Sequence, residues 1–114
     1  MTRKITNRPE QDLQIMCVNY FRLQHKDKLI FAVPNSAKRG AIEGARMKAM
    51  GTLKGCADVV ILSFPGKATF IEMKSGKGKQ QPSQMAFQDA VEKLGFTYYI
   101  CDSFDRFKKI VGAI

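Results

Sequence analysis

The sequence predicts an α/β domain: a mixed sheet of about four strands flanked by helices, in the order α-β-α-β-β-α-β-α. Three observations carry that expectation. Apolar residues recur at helical spacing in three segments, and a fourth segment is rich in helix formers. Between them lie four short apolar runs with many β-branched and aromatic residues. Pro65-Gly66 is a turn dipeptide between two of those runs and makes them a hairpin.

Each element has its own signal. Asn7-Arg8-Pro9-Glu10 offers an N-cap, a proline in the first turn and a glutamate at the capping-box position. Leu13, Met16, Cys17, Tyr20 and Leu23 then form an apolar stripe through about residue 26. Residues 29–33 read as a short buried strand stopped by Pro34-Asn35, and residues 41–50 as a helix that Gly51 ends. Residues 58–64 and 68–74 flank the turn. The first of these strands is apolar on both faces, which suits a central strand. Residues 75–81 form a loop rich in Gly and Lys. Pro82 opens a helix with Phe87, Ala90, Val91 and Leu94 as its core stripe, and Gly95 closes it. Residues 96–101 are a strand, and Asp102-Ser103 caps a last helix with Phe104, Phe107 and Val111 on one side.

The chain has 114 residues with no repeat or linker, and reads as one domain over residues 1–114. No apolar run approaches the roughly 18 residues that span a bilayer, and the charged N-terminal stretch has no apolar block behind it. The expectation is an intracellular protein without membrane contact. Lys and Arg number 19 against 10 Asp and Glu, a formal net charge of +9, which favours polyanions and nucleic acid first among them. One histidine and three widely spaced cysteines assemble no zinc cluster, so Cys17, Cys56 and Cys101 read as reduced thiols.

Two of the ten acids stand out. Asp58 opens an otherwise apolar strand, and Glu72 lies inside Phe70-Ile-Glu-Met-Lys74, where an unpaired carboxylate would cost several kcal/mol. Glu72 and Lys74 share a face because strand side chains alternate. A strict two-residue turn would set Asp58 opposite Met73. A three-residue loop at residues 65–67, or a bulge, puts Asp58, Glu72 and Lys74 on one face, and that register is the expected one. Two carboxylates and the main-chain carbonyl of Met73 suit a hard cation, Mg²⁺ or Mn²⁺. Lys74 would hold the attacking water or the phosphate. The competing reading is a structural Asp–Lys or Glu–Lys pair.

Asp58, thirteen intervening residues, then Glu72-Met73-Lys74 resembles the PD-(D/E)XK nuclease motif. Its context narrows the likeness: a Glu on the opening helix, Gly55-Cys-Ala-Asp58, Glu72 to Ser75, and Gln84 early in the next helix. Together these resemble the virus-type replication-repair nuclease family over roughly residues 9 to 103. Ala57 departs from the proline of the superfamily pattern. The resemblance implies a restriction-endonuclease-like core and a metal-dependent, structure-selective endodeoxyribonuclease in replication or repair. It makes Glu10 a further acid reaching the metal directly or through water, against its capping-box role. Gln84 becomes a group orienting Lys74, the water or the phosphate, against a merely exposed polar residue. Compact members of the family imply a homodimer acting on branched DNA such as Holliday junctions.

Lys38 and Arg39, with Lys77 and Lys79, flank these residues in sequence and are the expected DNA-backbone contacts. A non-catalytic DNA-binding module on a nuclease fold, a flap endonuclease and a restriction-type endonuclease remain as alternatives, and RNA stays open as a substrate because nothing in the sequence visibly reads a 2′-hydroxyl.

Overall fold

A computed structural model describes residues 8–34 and 40–114. The elements run α1 (Pro9–Gln24), β1 (Leu29–Ala32), α2 (Ala41–Ala49), β2 (Val59–Ser63), β3 (Lys67–Met73), α3 (Pro82–Lys93), β4 (Thr97–Cys101) and α4 (Phe104–Gly112). This is the order read from the sequence. The strands form one sheet, β1-β2-β3-β4, with the first two pairings antiparallel and β3–β4 parallel. The parallel step requires a crossover, which α3 provides.

Strand alternation gives the sheet two unlike faces. Val59, Ile61, Ile71, Met73 and Cys101 point to one side and pack with Ile30, with Cys17 and Phe21 of α1, and with Phe107, Ile110 and Val111 of α4. On the other side Ala57, Val91 and Tyr98 make a smaller core with Phe70 and Phe87 under α3. Helix α3 covers β4 and, through Phe87, Phe70 of β3, so the β1–β2 half of that face keeps Leu29, Phe31 and Leu62 exposed. Helix α2 has no buried residue. At the margin of the sheet, Arg22 Nη2 donates to the Ile30 carbonyl at 3.2 Å.

Several expectations are adjusted. The buried residues of α1 are Cys17 and Phe21, with Leu13, Val18 and Tyr20 packed beside them, while Met16 and Leu23 are exposed. The 13-17-21 row faces the sheet with Tyr20 beside it, so Leu13, Cys17 and Tyr20 of the predicted stripe pack inward, while Phe21 and Val18 take the places expected of Met16 and Leu23. Ala90 and Leu94 are exposed rather than in the α3 stripe, which comes down to Phe87 and Val91. The N-cap of α1 is Arg8, with no side-chain capping bond. Asn7 lies outside the described residues, as do Lys38 and Arg39. Ser103 does cap α4, accepting from the Arg106 N–H at 3.1 Å. None of the cysteines is in a disulfide; Cys17 and Cys101 are buried and Cys56 is half-buried. Among the described residues no helix is long and apolar enough to cross a membrane.

Candidate active site

The hairpin settles the first geometric question. Ser63 pairs with Lys67, so the connection is three residues long but comprises Phe64, Pro65 and Gly66, one position earlier than expected. Phe64 is 93% exposed at its tip. Continuing the Val59–Ile71 register by one residue sets Asp58 across from Glu72, on the α3 side of the sheet. The Asp58 N–H, however, donates to the Ile71 carbonyl at 3.0 Å, the one-residue step of a β-bulge. Its carboxylate turns along the strand, and Oδ2 accepts from the Met73 N–H at 2.6 Å. The Met73 N–H thus ties the Asp58 carboxylate to the end of β3.

Glu72 is completely buried. Its Oε1 accepts from Tyr98 Oη at 2.5 Å and from Gln80 Nε2 at 2.9 Å. Oε2 lies 3.2 Å from Lys74 Nζ, yet no donor is aligned on it, so it has charge compensation without a hydrogen bond. Lys74 donates instead to Gln84 Oε1 at 3.0 Å. The same oxygen accepts the Gln81 N–H at 2.7 Å, so Gln84 caps the start of α3 while it holds the lysine. Gly55 explains how α3 comes so near. A Cβ there would stand 2.4 Å from Ser83 main-chain atoms, and its φ of +87° favours glycine.

Glu10 arrives from the other side. Its Oε2 and the Lys74 Cδ lie 3.4 and 3.6 Å from where a Cβ on Gly78 would be. The start of α1 and the β3–α3 loop therefore meet over the lysine, and the exposed Lys77 and Lys79 flank Gly78 on that loop. Burial pushes the Asp58 carboxyl above its usual range. The Met73 hydrogen bond opposes this, the Glu72 and Glu10 charges reinforce it, and Lys74 works against it. Burial, followed by the bond to Glu72, also raises the Tyr98 hydroxyl, which stays protonated as a donor.

The structure therefore brings Asp58, Glu72, Lys74, Gln84 and Glu10 to one end of the sheet. Sequence reasoning missed the roles of Tyr98 and Gln80. A tyrosine in an apolar strand needs a partner for its hydroxyl, and that was the available signal. Among the described residues no three His, Cys, Asp or Glu side chains form a ready-made metal-holding group. The donor set still fits a hard cation. Magnesium keeps several waters and is commonly held by one or two carboxylates, and Glu72 Oε2 is a buried anionic oxygen that lacks a hydrogen bond.

The family model of the VRR-NUC domain matches residues 2–105. The chain belongs to the VRR-NUC domain family. Among solved structures, a "VRR_NUC domain protein" is similar at a TM-score of 0.74 and 19% identity, over 98% of this chain and 89% of that one. A second, titled "VRR_NUC domain", is similar at a TM-score of 0.63 and 17% identity, over 90% and 94% of the two chains. These likenesses establish the fold. No curated protein matches. Membership in the VRR-NUC family supports a nuclease-type domain with DNA as its substrate class.

Proposed function

We propose that the chain is a single-domain, Mg²⁺- or Mn²⁺-dependent endodeoxyribonuclease that hydrolyses phosphodiester bonds of branched DNA, such as Holliday junctions, in replication or repair. The observation that carries the reading is Glu72: a carboxylate with no exposed surface, one of whose oxygens has only the Lys74 charge beside it. Several kcal/mol of desolvation make that a costly arrangement for a protein that only binds DNA.

Glu72 Oε2 and the Asp58 carboxylate would hold the cation, with Glu10 reaching it directly or through water. A cation there supplies an acidified water and offsets charge building on the phosphate. Lys74, fixed by Gln84, directs its remaining protons at the attacking water or at a phosphate oxygen. The Gln84 contact restricts the ammonium to one position before substrate arrives. Lys77 and Lys79 would seat the DNA backbone, with Lys38 and Arg39 as further contacts. The uncovered Leu29, Phe31 and Leu62 support pairing of two copies, which would supply two sites for a branched substrate.

The test is cleavage of single-stranded, duplex, flap, fork and four-way DNA with Mg²⁺, Mn²⁺ or chelator, beside Lys74→Ala and light scattering. Metal-dependent cutting of the four-way substrate by a dimer, lost in Lys74→Ala, is expected. Intact junctions with Mn²⁺ present and a monomeric mass would end the proposal. The absence of a three-acid cluster among the described residues favours one second reading, a non-catalytic DNA-binding module. Calorimetry separates the two, because the module would bind DNA and ignore Mn²⁺, with Asp58→Ala as the control.

A further inference from the structure

We propose that Tyr98 and Gln80 are positioning residues that occupy Oε1 of Glu72 and so commit Oε2 to the divalent cation. The inference rests on the nuclease reading above and deepens it. The two oxygens of Glu72 are treated differently. Oε1 takes two donors, Tyr98 Oη from β4 and Gln80 Nε2 from the loop that leads into α3. Oε2 takes none, although it is equally buried. A carboxylate free to rotate offers an ion either oxygen in several orientations. With one oxygen held from two directions, only the other remains, and its lone pairs have a fixed aim.

Both donors are themselves held. The Tyr98 ring packs on Phe87 of α3 with centroids 6.2 Å apart, and its backbone is inside the parallel β3–β4 ladder. Gln80 Nε2 also donates to Gln88 Oε1 at 2.8 Å, and Gln88 Nε2 reaches Glu92 Oε2 at 3.4 Å. The chain of amides thus anchors Glu72 to the body of α3. Neither residue meets substrate or the reacting atoms, so their effect runs through Glu72 alone. Partners of this kind, hydrogen-bonded to a ligating group, typically account for ten- to a hundredfold in metal affinity.

The experiment is Mn²⁺ titration of the full chain by calorimetry, with folding confirmed by circular dichroism at the same temperature. Tyr98→Phe keeps the ring and removes the donor, and Gln80→Met keeps the length and removes the amide. Each is expected to weaken Mn²⁺ about tenfold. Cleavage by each should require correspondingly more Mn²⁺ for half-maximal rate, with KM for DNA unchanged. Val91→Ala is the control: it loosens the same small core without touching Glu72 and should bind Mn²⁺ as the parent does. Parental Mn²⁺ affinity in both donor variants, or equal weakening in Val91→Ala, overturns the positioning role while leaving the nuclease reading in place. A parent chain that binds no Mn²⁺ removes both.

Discussion

Gly55 lies against the main chain of Ser83, so close that a methyl group on Gly55 would stand 2.4 Å from the Ser83 carbonyl carbon and oxygen. The segment leading into Asp58 and the first turn of α3, which bears Gln84, are held together by the lack of a side chain. Gly55→Ala should therefore cost about 2–3 kcal/mol, lower the melting midpoint by on the order of 10 °C, and displace Gln84 from Lys74. Gly44 in α2 has nothing within 4 Å of its Cβ position, and Gly44→Ala should stabilise by up to about 1 kcal/mol. Thermal denaturation of the pair reads the contrast.

Gln84 serves two neighbours with one oxygen, the Lys74 ammonium and the Gln81 N–H. Replacing it with leucine should cost roughly 1 kcal/mol in helix capping. It should also lower kcat on the order of a hundredfold through the loosened lysine, with KM for DNA little altered. Steady-state kinetics beside a melting curve separates the two effects. A variant that melts lower but cuts at the parental rate would assign Gln84 to capping alone.

The raised Asp58 carboxyl gives a pH dependence with a definite sign. Burial, augmented by the Glu72 and Glu10 charges, lifts its folded pKa above the value of 3.8 expected unfolded. Between those two values the folded chain binds more protons than the unfolded one, so stability from this group falls as pH rises through that window. Asp58→Asn removes the titration. In chelator it should melt higher than the parent at neutral pH, and the advantage should disappear on acidification towards the unfolded pKa. Melting curves in chelator across that range provide the measurement.

Lys77 and Lys79 are exposed on either side of Gly78. If both touch phosphates, the double alanine variant should lower the slope of log affinity against log salt by about two. Equilibrium binding at several salt concentrations, in chelator to prevent cutting, checks it. An unchanged slope would move the phosphate contacts elsewhere on the molecule.

The order of elements and the juxtaposition of Asp58, Glu72 and Lys74 were legible in the sequence because they depend on local rules. Side-chain alternation fixed which residues share a face, and Pro65-Gly66 fixed the hairpin to within one residue. Tyr98 was not legible. Its place two residues before the one opposite Glu72 is set by the parallel β3–β4 register, which depends on how α3 packs rather than on any turn. Gln80 was hidden for a similar reason, since its partners lie on β3 and α3. In α1 the spacing picked out Leu13, Cys17 and Tyr20 but also took in Met16 and Leu23, which are as apolar as Phe21 and Val18 and yet face outward. Only tertiary contact decides which row is inward.

The Arg22–Ile30 hydrogen bond bears on how copies of this protein can meet. Hydrogen bonding alternates along β1, and the pairing of the Val33 N–H with the Asp58 carbonyl sends the polar groups of Ile30 outward, away from β2. An outward carbonyl on a terminal strand invites another chain to extend the sheet. Here the guanidinium already occupies it, on a strand only four residues long. Association by strand addition is thereby obstructed at β1, and a second copy meeting this end of the sheet is steered toward its side-chain surfaces.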